Sequence, residues 1–294
     1  MRYAWAMLLV AGCIAGCEKP APVQIEDDPD AVEVSAVEQV DPDVDVPSID
    51  STGVLPKEQL RVSGYLLIND IRLDWGQGAA RLTTSSVLLN NRGAGVLENG
   101  KLFGYYGLPL RSVTLNGQPM FEIPHVVRVV RGGRQDTVRR GVEYFRNITG
   151  SYSPNQPYVW GLRASLLTDT VVVPTLTPED LTVISPAAGD SVPRGRDLRV
   201  QWNGNVNTPT GTFSIIVSRA NPVTQKMRPL LQFRPRRNQG HAVVPARVLQ
   251  NLEPGIYAFT FILANSYRIA PQHDPQGEVI VQAASINSIV FALQ

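Results

Sequence analysis

Between Leu60 and Gln294 no stretch keeps a helical period for more than three turns; Gly, Asn and Pro cut the chain into short β-rich runs. A strand of this kind buries one face only, so strands repeating every ten residues or so must pair into sheets and stack. In the first half the runs are Val62–Ile68, Ala80–Leu89, Leu108–Leu115, His125–Val130, Val142–Phe145 and Leu166–Val173. Asn99-Gly100 and Asn116-Gly117 are hairpin signals, because both residues tolerate the positive φ of tight turns. The segment PTLTPED, residues 174–180, reads as a linker. Seven more runs follow: Leu181–Ile184, Leu198–Trp202, Phe213–Arg219, Leu230–Arg234, Ile256–Leu263, Val279–Ala283 and Ile289–Leu293. Val244–Leu252 reads as a short helical turn before a strand. The pattern predicts an all-β chain with two tandem β-sandwich domains, over residues 56–175 and 181–294.

Both cysteines, Cys13 and Cys17, fall within the first 17 residues. Neither sandwich can therefore hold a disulfide, and each depends on its apolar core alone. Thiolate zinc sites and iron–sulfur clusters are excluded from the folded part.

The second unit carries two telling stretches. SPAAGDSVPRGRDLRVQW has a Pro-rich first strand, a Gly turn and a strand ending in Trp202; LEPGIYAFTF places Tyr257 after a Leu-x-Pro-Gly turn. Together they resemble the fibronectin type III and bacterial immunoglobulin-like families. The resemblance implies a core role for Trp202 and a corner role for Tyr257, its hydroxyl bonding back to the backbone. It implies little about function, because that fold serves many. Residues 56–175 carry no comparable signature and are expected to form a second sandwich of similar type.

The N-terminus shows a charged residue, Arg2, an apolar run over Ala4–Val10, and then small residues. That order is a secretory signal peptide. Val10-Ala11-Gly12-Cys13 and Ile14-Ala15-Gly16-Cys17 both resemble the bacterial lipobox. Cutting before Cys17 leaves a signal peptide over residues 1–16, at the usual length. Cys17 is thus the expected lipidation site, and the membrane is a partner through that lipid. Glu18, rather than Asp, follows it, which in the lipoprotein sorting rule implies the outer membrane.

Charge then divides the chain. Residues 18–50 hold eleven acidic residues against Lys19, a formal −10; residues 51–294 hold the other 25 basic and 15 acidic residues, a formal +10. Low hydrophobicity with high like charge predicts a disordered acidic tether over residues 17–55. Asp41, Asp43 and Asp45 alternate like a calcium loop, but its sixth and twelfth places are Val46 and Thr52 instead of Gly and Glu. No metal and no cofactor is expected.

His125, His241 and His273 form no His-Glu-x-x-His pair, and no Gly-x-Ser-x-Gly elbow, Ser-x-x-Lys or phosphate loop appears. Two features suit binding. Arg128, Arg131, Arg134, Arg139, Arg140 and Arg146 cluster around Gly132-Gly133, a hairpin tip. Lys226, Arg228, Arg234, Arg236 and Arg237 form a second basic group. Clustered Arg can hold phosphate or carboxylate, here on an anionic lipid, a glycan or an envelope protein; the expected location disfavours nucleic acid. Tyr152, Tyr158 and Trp160 either stack on sugars or fill the core. The expected function is a lipid-anchored, non-enzymatic binding or scaffolding protein. The alternatives are a carbohydrate-binding module, which requires those rings exposed, and an enzyme accessory domain or unrecognised hydrolase.

Overall fold

The computed structural model describes residues 32–36, 62–98, 101–131, 134–148, 152–163, 171–203, 211–220, 227–235, 240–270 and 277–294. Cys17 and residues 1–16, the expected signal peptide, lie outside them. The described strands begin with β1 (Val32–Ala36), β2 (Val62–Asp74), β3 (Ala79–Glu98), β4 (Lys101–Gly107), β5 (Ser112–Leu115) and β6 (Gln118–Pro119). Next come β7 (Phe121–Arg131), β8 (Arg134–Asn147), β9 (Pro157–Arg163), β10 (Val171–Leu176), β11 (Thr182–Ser185) and β12 (Ser191–Val192). The last are β13 (Leu198–Asn203), β14 (Gly211–Ala220), β15 (Met227–Pro235), β16 (His241–Val244), β17 (Gly255–Ile269) and β18 (Glu278–Leu293). One short helix, α1 (Ala246–Gln250), stands where a helical turn was expected.

The all-β expectation holds. An eleven-stranded sheet runs β1-β15-β14-β17-β18-β2-β3-β8-β7, with β12 beside β18 and β4 beside β3. Two small sheets cover parts of one face: β10-β9-β5-β6 and β11-β13-β16. Each cover encloses a core. The first holds Leu66, Ile68, Val87, Leu115, Tyr158 and Trp160. The second holds Val200, Trp202, Ile215, Phe233, Tyr257, Phe259 and Phe261.

The two cores share a hairpin. β17 pairs antiparallel with β18 along its whole length, from Gly255↔Leu293 to Ile269↔Val279. β18 also pairs parallel with β2, the first strand of the other half. Its inward residues switch allegiance part-way: Val279, Val281 and Ala283 belong to the first core, Ile289, Phe291 and Leu293 to the second. The Phe291 ring stacks on Phe259 with centroids 4.7 Å apart, an offset contact worth about 0.5–1.5 kcal/mol beyond burial. The run Val279–Ala283 and the run Ile289–Leu293, expected as separate strands, are one 16-residue strand.

Between the cores the inward positions turn polar, and the segment after β10 crosses them. Asn265 Nδ2 donates to the Leu176 carbonyl at 2.9 Å, and Asn287 Nδ2 to the Leu181 carbonyl at 3.1 Å. The Leu181 N–H donates to Ser285 Oγ at 3.3 Å, and the Tyr152 hydroxyl to the Pro178 carbonyl at 2.8 Å. A buried backbone polar group must find a partner, and these side chains supply it. Asp70, 1% exposed, accepts two bonds from Arg81 (2.9 and 2.8 Å) and one from the Thr83 hydroxyl (2.7 Å). Those bonds to Asp70 hold the Arg81 guanidinium above its ordinary pKa despite partial burial. Asp180 adds an ion pair to Arg72 at 3.0 Å. The stretch expected as a linker is thus bonded down along a polar seam.

One expectation about the tether is corrected. Val32–Ala36 forms β1, paired antiparallel with β15, so the residues 17–55 are not featureless throughout. VEVSA alternates β-branched or small residues with polar ones, which is strand chemistry. Net charge masked that short pattern. The other residues of 17–55 lie outside the described part.

Candidate functional site

The arginine cluster maps onto the hairpin the sequence implied. β7 pairs with β8 antiparallel, and Arg131↔Arg134 is the last pair before the Gly132-Gly133 tip. Arg128 pairs with Thr137 and Arg139 with Val126. The side chains of residues 127–137 lie outside the described part, so Arg128, Arg131 and Arg134 are located by backbone register alone. β8 meets β3 only from Val87↔Tyr144 to Thr84↔Asn147. The rest of the hairpin extends past that pairing as an arm at one end of the large sheet.

A bulge marks where the arm leaves. The register shifts between Pro124, opposite Val142, and Val126, opposite Arg139. That leaves His125 facing both Arg140 and Gly141. Gly141 has φ +87°, a conformation that other residues rarely take. A Cβ there would lie 2.6 Å from the Gly107 carbonyl oxygen, so β4 closes directly on the bulge. Such bulges re-aim side chains and end pairing. Pro124 belongs to the same device, since proline on an edge strand withholds a donor and discourages strand addition.

The bulge separates two neighbouring arginines. Arg139 is exposed. Arg140 is turned inward and only 7% exposed. Its Nε has no hydrogen-bond partner. Burial lowers the pKa of its guanidinium, and the Tyr65 phenol partly opposes that shift. The same burial raises the Tyr65 pKa, which Arg140 in turn moderates. No carboxylate among the described side chains pairs with Arg140. Across the bulge, His125 Nδ1 lies 3.1 Å from Glu143 Oε2. Further along β8, the Tyr144 hydroxyl accepts from the Leu110 N–H at 2.6 Å and lies 3.0 Å from the Leu110 carbonyl. That exchange ties the body to the hairpin base.

Of the two readings of Tyr152, Tyr158 and Trp160, burial rather than sugar stacking is the one observed. Trp160 is fully buried in the first core, and its Nε1 donates to Ser85 Oγ at 3.1 Å. Tyr158 is buried in the same core, and Tyr152 is buried against the seam, its phenol pKa pushed well up by burial. None of the three offers a face to a sugar. Tyr158 and Trp160 fill the core because the strand alternation of β9, PYVWGLR, points its even-numbered residues inward. The most exposed aromatic among the described residues is instead Phe121, 69% exposed at the start of β7, followed by Trp75 and Tyr106.

Of the other residues considered, His241 lies on β16, away from the bulge, and His273 is outside the described part. Among the described residues no group of three His, Cys, Asp or Glu is placed to hold a metal. Arg228 and Arg234 of the second basic group lie on β15; Lys226, Arg236 and Arg237 are outside the described part. Sequence reasoning missed Tyr65, because an isolated tyrosine in a strand carries no signal of what faces it.

No protein-family model matches this chain, and no curated protein matches it. Among solved structures, a titin A168–A169 fragment aligns over 79% of this chain and 97% of its own length, at 8% identity and a TM-score of 0.16. A likeness of that size carries no argument, and the all-β architecture rests on the strands themselves.

Proposed function

We propose that this chain is a lipid-anchored, non-enzymatic binding module of the bacterial cell envelope, in which the β7–β8 arm takes a carboxylate- or phosphate-bearing partner. Cys17 supplies the anchor in the outer membrane, and the acidic segment spaces the body from it. Two acyl chains suffice for stable anchoring, at about 0.8 kcal/mol per buried CH₂.

The observation that carries this reading is Arg140. A buried guanidinium without a carboxylate is costly, because its charge is desolvated and uncompensated. An incoming anion offsets that cost and gains charge-assisted bonds in a low-dielectric setting. Arg139, exposed beside it, adds attraction at the surface. The rings expected to serve a carbohydrate platform are buried, so a glycan would be recognised here by its acidic groups.

The test is binding of the full chain to an acidic polysaccharide and, separately, to anionic-lipid vesicles, for wild type and Arg140→Met. A charge-assisted bond contributes about 1.5–3 kcal/mol, so Arg140→Met should weaken binding about 10- to 100-fold. The variant should fold as well as wild type or better, since methionine fills the site without a buried charge. Unchanged affinity for both ligands would remove Arg140 from the site.

A further inference from the structure

The β15 strand has β14 on one side and β1 on the other. Without β1 its second edge would present unpaired N–H and C=O groups at the end of the large sheet, a template for another strand. The occupant is unusual in its attachment. β1 is joined to β2 by residues 37–61, and four strands lie between the two in the sheet. At about 4.8 Å per strand step, β1 and β2 are about 24 Å apart, whereas 25 residues reach about 80 Å. β1 therefore docks as an intramolecular ligand rather than as a strand fixed by its turn.

We infer that the β15 edge is a strand-acceptor site, filled in this chain by β1 and open to an extended segment of another protein with the same alternation. The register defines what the site accepts. Val34 pairs with Phe233, which is fully buried in the second core, and Ala36 pairs with Leu231. These positions ask for small or β-branched residues. Glu33 pairs with Arg234, whose side chain is exposed, so the alternate position takes an acid. Only five residues hold β1, and among the described residues no second strand lies on its outer side. Cross-strand pairs contribute about 0.2–1 kcal/mol each, which suits an occupant that can be exchanged. Backbone bonds supply the affinity in such strand addition, and alternate side chains the selectivity. This inference rests on the β1–β15 ladder and is independent of anion binding at Arg140.

Two measurements test it. The chain has no cysteine after Cys17. In the full chain with Cys13→Ser and Cys17→Ser, the successive pairs Ser35→Cys/Gln232→Cys and Ala36→Cys/Leu231→Cys are introduced separately. Successive antiparallel pairs alternate in geometry, so one of the two suits a disulfide. Oxidation should give a monomer crosslinked within one chain; an interchain dimer, or no crosslink from either pair, overturns the assignment. In the second measurement a labelled peptide of residues 30–38 is titrated into wild type and Glu33→Pro/Val34→Pro. Two consecutive prolines remove at least one ladder donor, whichever residue faces β15. The peptide should bind the variant at least tenfold better than wild type, and a scrambled peptide neither. Equal binding to both chains, or none to the variant, also overturns it.

Discussion

If β18 completes both cores, a cavity cut into one of them must lower the stability of the other. Val281 is the place to test this, because it is fully buried in the first core on the strand that continues into the second. Val281→Ala deletes two methyl groups, worth about 1.6 kcal/mol of transfer at about 0.8 each. A residual cavity raises the loss to about 2–2.5 kcal/mol. For a body of this size, 1 kcal/mol moves the melting temperature by about 2–4 °C, so the expected shift is about 4–10 °C. Trp160 reports on the first core and Trp202 on the second. Two backgrounds isolate them, one with Trp5, Trp75 and Trp202 replaced by Phe, the other with Trp5, Trp75 and Trp160 replaced. Thermal unfolding followed by fluorescence should show the same downward shift within each background. Melting the first core alone would strip β2 from β18 and expose the inward face of half the hairpin, so the second core should not survive it. A Trp202 curve that stays in place while the Trp160 curve moves would refute the coupling.

Asp70→Asn leaves Arg81 with only its longer ion pair to Asp180 at 3.4 Å; because Arg81 can also partly re-solvate, the loss should be about 2–3 kcal/mol in urea denaturation, below the full cost of breaking a buried pair. Tyr257→Phe removes the hydroxyl that donates to the Glu253 carbonyl at 2.6 Å, and should cost about 1 kcal/mol by the same measurement. Gly141→Ala forces a side chain into a positive-φ site against β4, so stability should fall by about 1–3 kcal/mol, with the amide exchange of Arg139 and Arg140 quickened.

Strand chemistry made much of this fold legible. Period-2 runs located β2, β3, β13 and β14, and the Leu-x-Pro-Gly turn foretold the Tyr257 corner bond. Trp202 is buried in the second core, as the resemblance implied. The sequence misled where a residue served a partner far away in the chain. Ser285 and Asn287 looked like a break between two strands, yet they keep the alternation and bond the crossing segment. Asp180 looked like linker polarity, although it holds Arg72, 108 residues distant. At the arm, composition found the arginines but could not tell Arg139 from Arg140. Their difference arises from one bulge, and a bulge is a property of two strands together.

The shared strand also sets a schedule. β18 begins at Glu278, so the first core cannot close before Ala283 has been made, nor the second before Leu293. Many chains fold their first domain while the second is still being made. Here the parallel pairing of β2 with β18 joins residues more than two hundred positions apart, and such long loops must close before their contacts give any return. The emerging chain thus remains threadable over nearly its whole length until its last strand is made.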